Sequence, residues 1–285
     1  MKDIPLTHFY SWQAVPDALV PLVLSEFADN GAKYFVMSDA WGPRLLHEPR
    51  FYNMLRSWQI NSGMEIFECH APWGAGYDLN IRNRPRRPGM IEDHKMCMEY
   101  AADFGCKTYT VHIGGYYPGM EDSVCDALEQ LIPTAEKLGI IIAIENGMDP
   151  GYSPDALLNY LKKYPSPSVG CCLDTGHANV MLSAPGKKLE AYPISIKDAW
   201  NQNIQQEADP IGKLADYIVT VHLHDNDGYS DQHGLPGTGT IDWKNWIPKL
   251  KQCPRIISFQ NEFIASRNRF SIKKICQTYN DLVKL

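Results

Sequence analysis

The sequence predicts an α/β protein of one domain, folded as a closed (β/α)8 barrel of parallel strands. Short apolar, β-rich runs recur along the chain, and there are eight of them, which is the number that such a barrel needs. Helical patterns lie between the runs, as connections between parallel strands require. An open doubly wound sheet is the competing architecture, but no G-x-G-x-x-G turn follows the first run. The barrel is therefore the better prediction.

The predicted strands are short and mostly apolar. In chain order they cover residues 4–10, 33–38, 64–69, 108–113, 140–145, 169–174, 217–224 and 255–262. Runs such as IIIAI and YIVTV do not alternate between apolar and polar residues, as expected of parallel strands buried on both faces. The clearest helix is predicted over residues 123–138, where apolar side chains keep helical spacing until Gly139 ends it.

Length and composition are those of an ordinary globular protein. The 285 residues suit one barrel domain, residues 1–285, with 44% hydrophobic and 21% charged residues. No apolar run approaches the roughly 18 residues of a membrane span, and the chain as written shows no secretory signal, so a cytoplasmic location is expected. The longest gap, about residues 181–217, predicts an elaborated connection that could fold over the site or meet a second subunit of a homo-oligomer.

Cysteine usage and net charge narrow the function classes further. Eight cysteines without a C-x-x-C pair are expected to be buried thiols in a reducing compartment. A formal net charge of −6 argues against a protein that coats nucleic acid. One local basic patch exists, at Arg82, Arg84, Arg86 and Arg87, and it fits either an anionic substrate or a solvated loop.

Residues that can bind a metal ion stand at the ends of six of the eight predicted strands. They are His70, His112, Glu145, Asp174, His222 and Glu262. The carboxyl ends of barrel strands open on one face, so these side chains are expected to converge. One such residue alone is more often a loop anchor, but burying six together without a cation would cost a large desolvation energy. Imidazole nitrogens and carboxylate oxygens hold zinc, manganese and related divalent ions. A metal centre is therefore predicted.

Four phrases of the sequence carry a family resemblance. IAIENG, LDTGHAN, VHLHDNDG and DQHGLPGTGTIDW, in this order and on this spacing, resemble the xylose-isomerase-like TIM barrel superfamily of sugar and sugar phosphate isomerases, epimerases and endonuclease IV. The resemblance covers nearly the whole chain. It implies a core of four ligands, Glu145, Asp174, His222 and Glu262, around a divalent ion such as manganese, zinc, cobalt or magnesium.

A second resemblance, to endonuclease IV, enlarges this ligand set. It implies further ligands at His70, His112, His177, Asp231 and His233. Nine candidate donors exceed the four to six or so that one ion accepts. Either several ions bind, or the extra groups hydrogen-bond substrate hydroxyls.

The seventh strand offers two histidines on the same face. Strand alternation cannot choose between His222 and His224, because alternate residues point the same way. The H-x-x-D spacing with Asp225, found in the superfamily that the chain resembles, favours His222 as the ligand. His224 then becomes a substrate-binding or supporting residue, or a satisfied core histidine.

The resemblance implies a metal-dependent isomerase or epimerase of a sugar or a sugar phosphate. In related epimerases two carboxylates lie on opposite sides of the substrate, which gives Glu145 and Glu262 the catalytic roles of removing and returning a proton. His177 would steady a substrate oxygen. Trp41, Trp73 and Tyr116, in loops on the predicted active face, could stack on a carbohydrate ring. The same proton abstraction could also begin a dehydration or β-elimination, as in a lyase.

Two departures from family patterns separate the alternatives. Ketohexose epimerases carry a further Glu shortly after the E-N motif and an Arg after the seventh-strand His, whereas NGMDPGYS offers only Asp149 and HDNDGYS offers no Arg.

The rival function is a hydrolase, an endonuclease IV-like multi-zinc phosphodiesterase acting on abasic DNA, which the nine donors and the arginine patch favour. Against it, VMLSAPG and HIGGYYPG depart from that family's patterns. Sugar chemistry is the favoured prediction, without nucleic acid as a partner.

Overall fold

Eight parallel strands form a closed barrel in the computed structural model, which describes residues 3–265 and 267–285. Each strand is hydrogen-bonded to the next along the chain, and the last pairs with the first through Leu6 and Phe259. The strands are β1 Leu6–His8, β2 Tyr34–Met37, β3 Glu65–His70, β4 Thr108–Val111, β5 Ile141–Glu145, β6 Val169–Asp174, β7 Ile218–Leu223 and β8 Ser258–Asn261. The predicted barrel is confirmed, and each strand lies within or overlaps its predicted run.

Helices surround the barrel and connect its strands. They are α1 Val20–Asp29, α2 Trp41–His47, α3 Phe51–Ser62, α4 Arg87–Phe104, α5 Met120–Leu138, α6 Pro154–Lys163, α7 Thr175–Met181, α8 Ile194–Ala199, α9 Pro210–Leu214, α10 Trp243–Lys251 and α11 Ile272–Leu282. The predicted helix over residues 123–138 is α5. It ends at Gly139, whose positive φ of 68° suits the left-handed end of a helix. None of the helices in the described part of the chain combines the length and apolarity needed to cross a membrane.

The connection between β6 and β7 is elaborated, as its length predicts. It contains α8 and α9, and it builds a small apolar cluster of its own against α7, in which Tyr192, Ile196 and Trp200 pack on Val180 and Met181. Lys187 donates to three main-chain carbonyls at the end of α7, at 2.7 to 2.9 Å. This connection therefore holds α7 in place from outside the barrel.

All eight cysteines are free thiols, and all but Cys125 are buried. Burial raises the pKa of Cys106 and Cys171 because a thiolate is poorly solvated in the core. The prediction of buried thiols is confirmed for these seven residues.

A buried carboxylate with four hydroxyl partners fills the lower part of the barrel. Glu68 of β3 is 1% exposed and accepts hydrogen bonds from Thr7, Thr108, Thr220 and Ser258, which lie on four other strands. Burial raises the pKa of Glu68, although the four hydroxyl donors oppose the shift. The carboxylate thus links the strands from inside, below the face on which they end.

Glu68→Leu is expected to lower the free energy of unfolding by about 3 kcal/mol or more, because it removes the shared acceptor of four buried hydroxyls, and only Thr7 and Ser258 have a second acceptor among the described residues. Thr108→Val removes only one donor and is the matched control, with an expected loss of about 1 kcal/mol. Urea unfolding of both variants measures the difference. Equal losses would mean that the carboxylate does not link the strands.

Candidate metal centre

The candidate ligands predicted from the strand ends meet at the carboxyl mouth of the barrel. One ligand atom from each of Glu145, Asp174, His222 and Glu262 lies within 4.8 Å of the others, and all four side chains are buried. The Nδ1 atom of His222 lies 3.1 Å from Glu262 Oε2, 3.4 Å from Glu145 Oε2 and 3.9 Å from Asp174 Oδ2. These spacings let one small cation touch all four groups.

Several polar atoms in and beside this cluster lack hydrogen-bond partners among the described residues. Neither ring nitrogen of His222 makes a well-formed hydrogen bond to any described residue, although the side chain is fully buried. Asp231 Oδ1 likewise has no hydrogen-bond partner among the described residues. A buried polar atom without a partner costs about 1–3 kcal/mol. A divalent cation removes that cost, and this mixed nitrogen and oxygen donor set suits such an ion.

A second group of donors adjoins the first on the side of β3 and β4. His70 Nε2 lies 3.8 Å from Glu145 Oε2, and His112 Nε2 lies 3.2 Å from the same oxygen. His70 Nδ1 is 2.9 Å from the carbonyl of Ala71, which orients the ring so that Nε2 faces the centre. His70, Glu145 and His222 also place ligand atoms within 4.8 Å of one another.

A third group lies on the opposite side, around Asp231. Asp231 Oδ2 is 2.8 Å from His233 Nε2 and 3.7 Å from His177 Nε2. The other ring nitrogens of these histidines lie 3.0 Å from the carbonyl of Glu262 and 2.8 Å from the carbonyl of Asn146. His177 is also fixed through its main-chain N–H, which donates to Asp174 at the start of α7. The structure therefore brings all nine predicted donors into one cluster.

His224 lies inside this cluster and not at a substrate surface. Its Nε2 is 2.8 and 3.0 Å from the two oxygens of Asp174, and its ring stacks on His233 with centroids 4.1 Å apart. The side chain is 0% exposed and does not line the cavity above the centre. Of the roles expected for His224, this position favours a supporting residue or a satisfied core histidine over substrate contact, because the ring is enclosed between Asp174 and His233. His224, His233 and Glu262 instead form a further group with ligand atoms within 4.8 Å.

Gly176→Ala tests how tightly His224 is held. A Cβ at residue 176 would lie 1.9 Å from the His224 ring, so the variant must displace that ring from Asp174. We expect a loss of about 1–3 kcal/mol in the free energy of unfolding, as for other overpacked sites, together with weaker metal binding. Gly115→Ala is the control, because a Cβ there meets nothing within 4 Å. Identical unfolding and metal titration of the two variants would contradict the expectation.

The two carboxylates predicted to move a proton have opposite electrostatic surroundings in the protein without a bound cation. Burial opposes ionisation of Glu145, but His112 and His222 outweigh it and lower its pKa to about 2. Burial, followed by repulsion from Glu145 and Asp174, raises the pKa of Glu262 well above its usual range. While no cation is bound, Glu145 is thus the more acidic of the two carboxyl groups. Divergent pKa values of this kind are typical of acid and base pairs.

The three aromatic residues predicted to stack on a sugar lie in three different parts of the structure. Trp73 is 54% exposed and lines the cavity above the centre, with its ring 5.3 Å from His112. Trp41 begins α2, is 2% exposed and packs against Trp12 in the core, so its predicted loop position is wrong. Tyr116 lines a neighbouring groove beside Trp200 and not this cavity, so its predicted role is not supported.

The cavity above the centre has a volume of about 290 Å³ and includes residues that sequence reasoning missed. They are Phe9, Gln13, Asp39, Tyr152 and Ile264. Gln13 and Asp39 follow β1 and β2, the two strands without a candidate ligand. Asp39 lies two residues after β2, where the rule that active-site residues follow barrel strands would place such a residue.

Tyr152 reaches the cavity because of Gly147. The N–H of Gly147 donates to the carbonyl of Tyr152 at 2.9 Å and closes the loop between them. A Cβ at Gly147 would lie 1.7 Å from the tyrosine ring, so a glycine is needed there. Burial, then the negative charges of Asp149 and Glu145, raise the pKa of Tyr152. Its hydroxyl therefore stays protonated and can donate a hydrogen bond to a ligand.

Comparisons with known proteins agree with this architecture. The uncharacterized protein MJ1311 of Methanocaldococcus jannaschii is 29% identical over 227 residues, which cover 75% of this chain and 70% of that protein. A D-tagatose 3-epimerase-like protein has a TM-score of 0.70 at 22% identity, over 98% of both chains. The IOLI protein with a binding zinc atom has a TM-score of 0.68 at 20% identity, also over 98% of both chains.

The structural likenesses show the fold, since both lie at low sequence identity. The family model is more informative, because it matches most of the chain. It is described as a xylose isomerase-like TIM barrel and matches residues 25–255. The chain belongs to the xylose isomerase-like TIM barrel family.

Proposed function

We propose that the protein is a divalent-metal-dependent isomerase or epimerase of sugars. The observation that carries this proposal is the placement of Glu145 and Glu262, whose oxygens lie within 4.8 Å of one another beside His222 and Asp174. Two carboxylates in one buried site beside a divalent ion are suited to taking a proton from a carbon and returning it. The D-tagatose 3-epimerase-like structural neighbour supports this choice of chemistry.

Each residue of the centre has a distinct part in the proposed reaction. Glu145, Asp174, His222 and Glu262 would hold the ion, which supplies polarisation of a carbonyl next to the reacting C–H. Glu145 takes the proton from the carbon. Glu262 delivers a proton, on the same carbon in an epimerase or on its neighbour in an isomerase. His177 and Tyr152 line the cavity and hold substrate oxygens.

Solvent exchange tests the proposal directly. The purified protein, loaded in turn with manganese, zinc, cobalt or magnesium, is incubated in D2O with D-fructose, D-tagatose, D-psicose and D-xylose. We expect deuterium to enter at a carbon next to the carbonyl of at least one of these sugars, with release of the isomer or epimer. Loss of water from the sugar would indicate a dehydratase that begins with the same step. The absence of exchange with every metal would overturn the proposal.

A second candidate function is favoured by the number of donors. His70 and His112 on one side, and His177, Asp231 and His233 on the other, extend the core into a cluster large enough for more than one ion. Such a cluster suits a multi-zinc phosphodiesterase acting on abasic DNA. Metal analysis and an oligonucleotide with one abasic site distinguish the two functions. Cleavage that requires several zinc ions would replace the sugar proposal.

A further inference from the structure

Apart from histidines, no basic side chain of residues 3–265 and 267–285 lines the cavity above the candidate metal centre. No lysine or arginine lines it there, whereas Asp39 adds a carboxylate to those of the centre. Where no metal ion holds them, phosphate groups in proteins are bound by arginine, lysine and the free N–H groups of helix starts. The walls of this cavity thus lack the side chains of a phosphate site.

Three main-chain N–H groups near the cavity are already used. The N–H groups of Ala40 and Trp41, at the start of α2, donate to the side chain and carbonyl of Ser38 at 3.3 and 2.9 Å. The start of α7 is capped by Asp174, which accepts the N–H of His177 at 2.6 Å. Neither helix start offers these N–H groups to a ligand.

The predicted arginine patch lies elsewhere. Arg82, Arg84 and Arg87 line a separate cavity with Tyr117, and that cavity shares no lining residue with the one above the centre. Two of the four arginines are neutralised within the protein, since Arg86 pairs with Asp93 and Arg87 with Asp126. Arg82 stacks on the ring of Tyr117 at 4.2 Å. The patch therefore gives no support to an anionic substrate at the metal centre.

Asp39 is held in a fixed orientation on the cavity wall. Its Oδ1 accepts the hydroxyl of Ser38 at 2.7 Å, and its Oδ2 accepts the indole N–H of Trp73 at 2.9 Å. The lone pairs that remain can accept hydrogen bonds from sugar hydroxyls, but the carboxylate repels a phosphate dianion. Arg267 is exposed and does not line the cavity. Its side chain donates a hydrogen bond to the main-chain carbonyl of Asp231 at 3.4 Å.

We propose that the cavity takes one unphosphorylated sugar unit and that Asp39, oriented by Trp73, excludes phosphorylated sugars. The inference rests on the proposed function, because it names the substrate class of the same site. The volume of about 290 Å³ is at the lower end of small-molecule sites, which favours a single unit over an oligosaccharide. The exposed face of Trp73 offers a surface against which that unit can pack.

A binding experiment separates this inference from catalysis. D-glucitol and D-glucitol 6-phosphate have no carbonyl and cannot be isomerised, so calorimetry on the metal-loaded protein measures affinity alone. We expect D-glucitol to bind about tenfold or more tightly than its 6-phosphate, and Asp39→Asn to remove most of that preference. Asp216→Asn, an exposed and remote change of the same kind, and Arg267→Gln should leave the preference unchanged.

The outcomes distinguish the two proposals. Equal or tighter binding of D-glucitol 6-phosphate, or no binding of D-glucitol at millimolar concentration, overturns the inference whatever the protein catalyses. Deuterium exchange with D-fructose 6-phosphate and not with D-fructose would keep the isomerase proposal while overturning the inference. Selective binding of D-glucitol without exchange on any sugar would keep the inference and overturn the isomerase proposal.

Discussion

Glu145→Gln and Glu262→Gln are each expected to lower turnover of a sugar substrate by about a thousandfold, the scale of a lost general acid or base. Each variant removes a proton-transferring group and a candidate ligand together. The measurement is therefore made in two parts, turnover by deuterium exchange and bound metal by elemental analysis at saturating ion. Since glutamine keeps one oxygen donor, we expect the metal content at saturation to fall less than the turnover.

A matched substitution shows whether the effect belongs to the site. Glu65 is exposed at the start of β3, so Glu65→Gln changes the same group without touching the cluster and should keep full turnover. Glu262→Asp keeps the charge with a shorter side chain and is expected to retain more turnover than Glu262→Gln. Wild-type activity in either of the two site variants would remove that residue from proton transfer.

Removal of divalent ions is expected to lower the melting temperature by roughly 10 °C. An ion that binds only the folded protein adds about 4 kcal/mol at a thousand times its Kd, and each kcal/mol shifts Tm by about 2–4 °C in a protein near this size. The physical reason is the set of buried donors without partners, above all His222. Thermal unfolding with and without EDTA, followed by re-addition of zinc or manganese, measures the shift.

Variants of the core connect that shift to the predicted ligands. Asp174→Asn removes one charged donor and should reduce the response to EDTA by more than half. Asp216→Asn, at an exposed position between α9 and β7, should respond as the wild type does. An unchanged melting temperature after complete removal of metal from the wild type would argue against a resident ion.

Sequence reasoning located the candidate ligands well because two regular rules place them. Parallel strands buried on both faces give recognisable apolar runs, and barrel closure brings the ends of those runs together. Glu145, Asp174 and His70 are the last residues of their strands, which is where these rules put them. No knowledge of loop structure was needed for these positions.

Residues whose placement depends on loops or on partners were predicted less well. Trp41 follows Asp39 so closely that the start of α2 turns its ring into the core, while Asp39 itself faces the cavity. Tyr152 depends on the close approach of its ring to Gly147, which no periodic pattern reveals. Arg87 is paired with Asp126 of a different helix, and such contacts across helices are set by packing.

The four core ligands lie on or directly after four consecutive strands, β5 to β8, so a cut within this half of the barrel separates them. A chain divided between α6 and β6 would leave Glu145 in one piece and Asp174, His222 and Glu262 in the other. Neither piece alone would contain the complete four-ligand core, whereas co-expressed pieces would regain it upon reassembly. Uptake of the ion therefore reports whether the barrel has reassembled, which helix content measured by circular dichroism does not reveal.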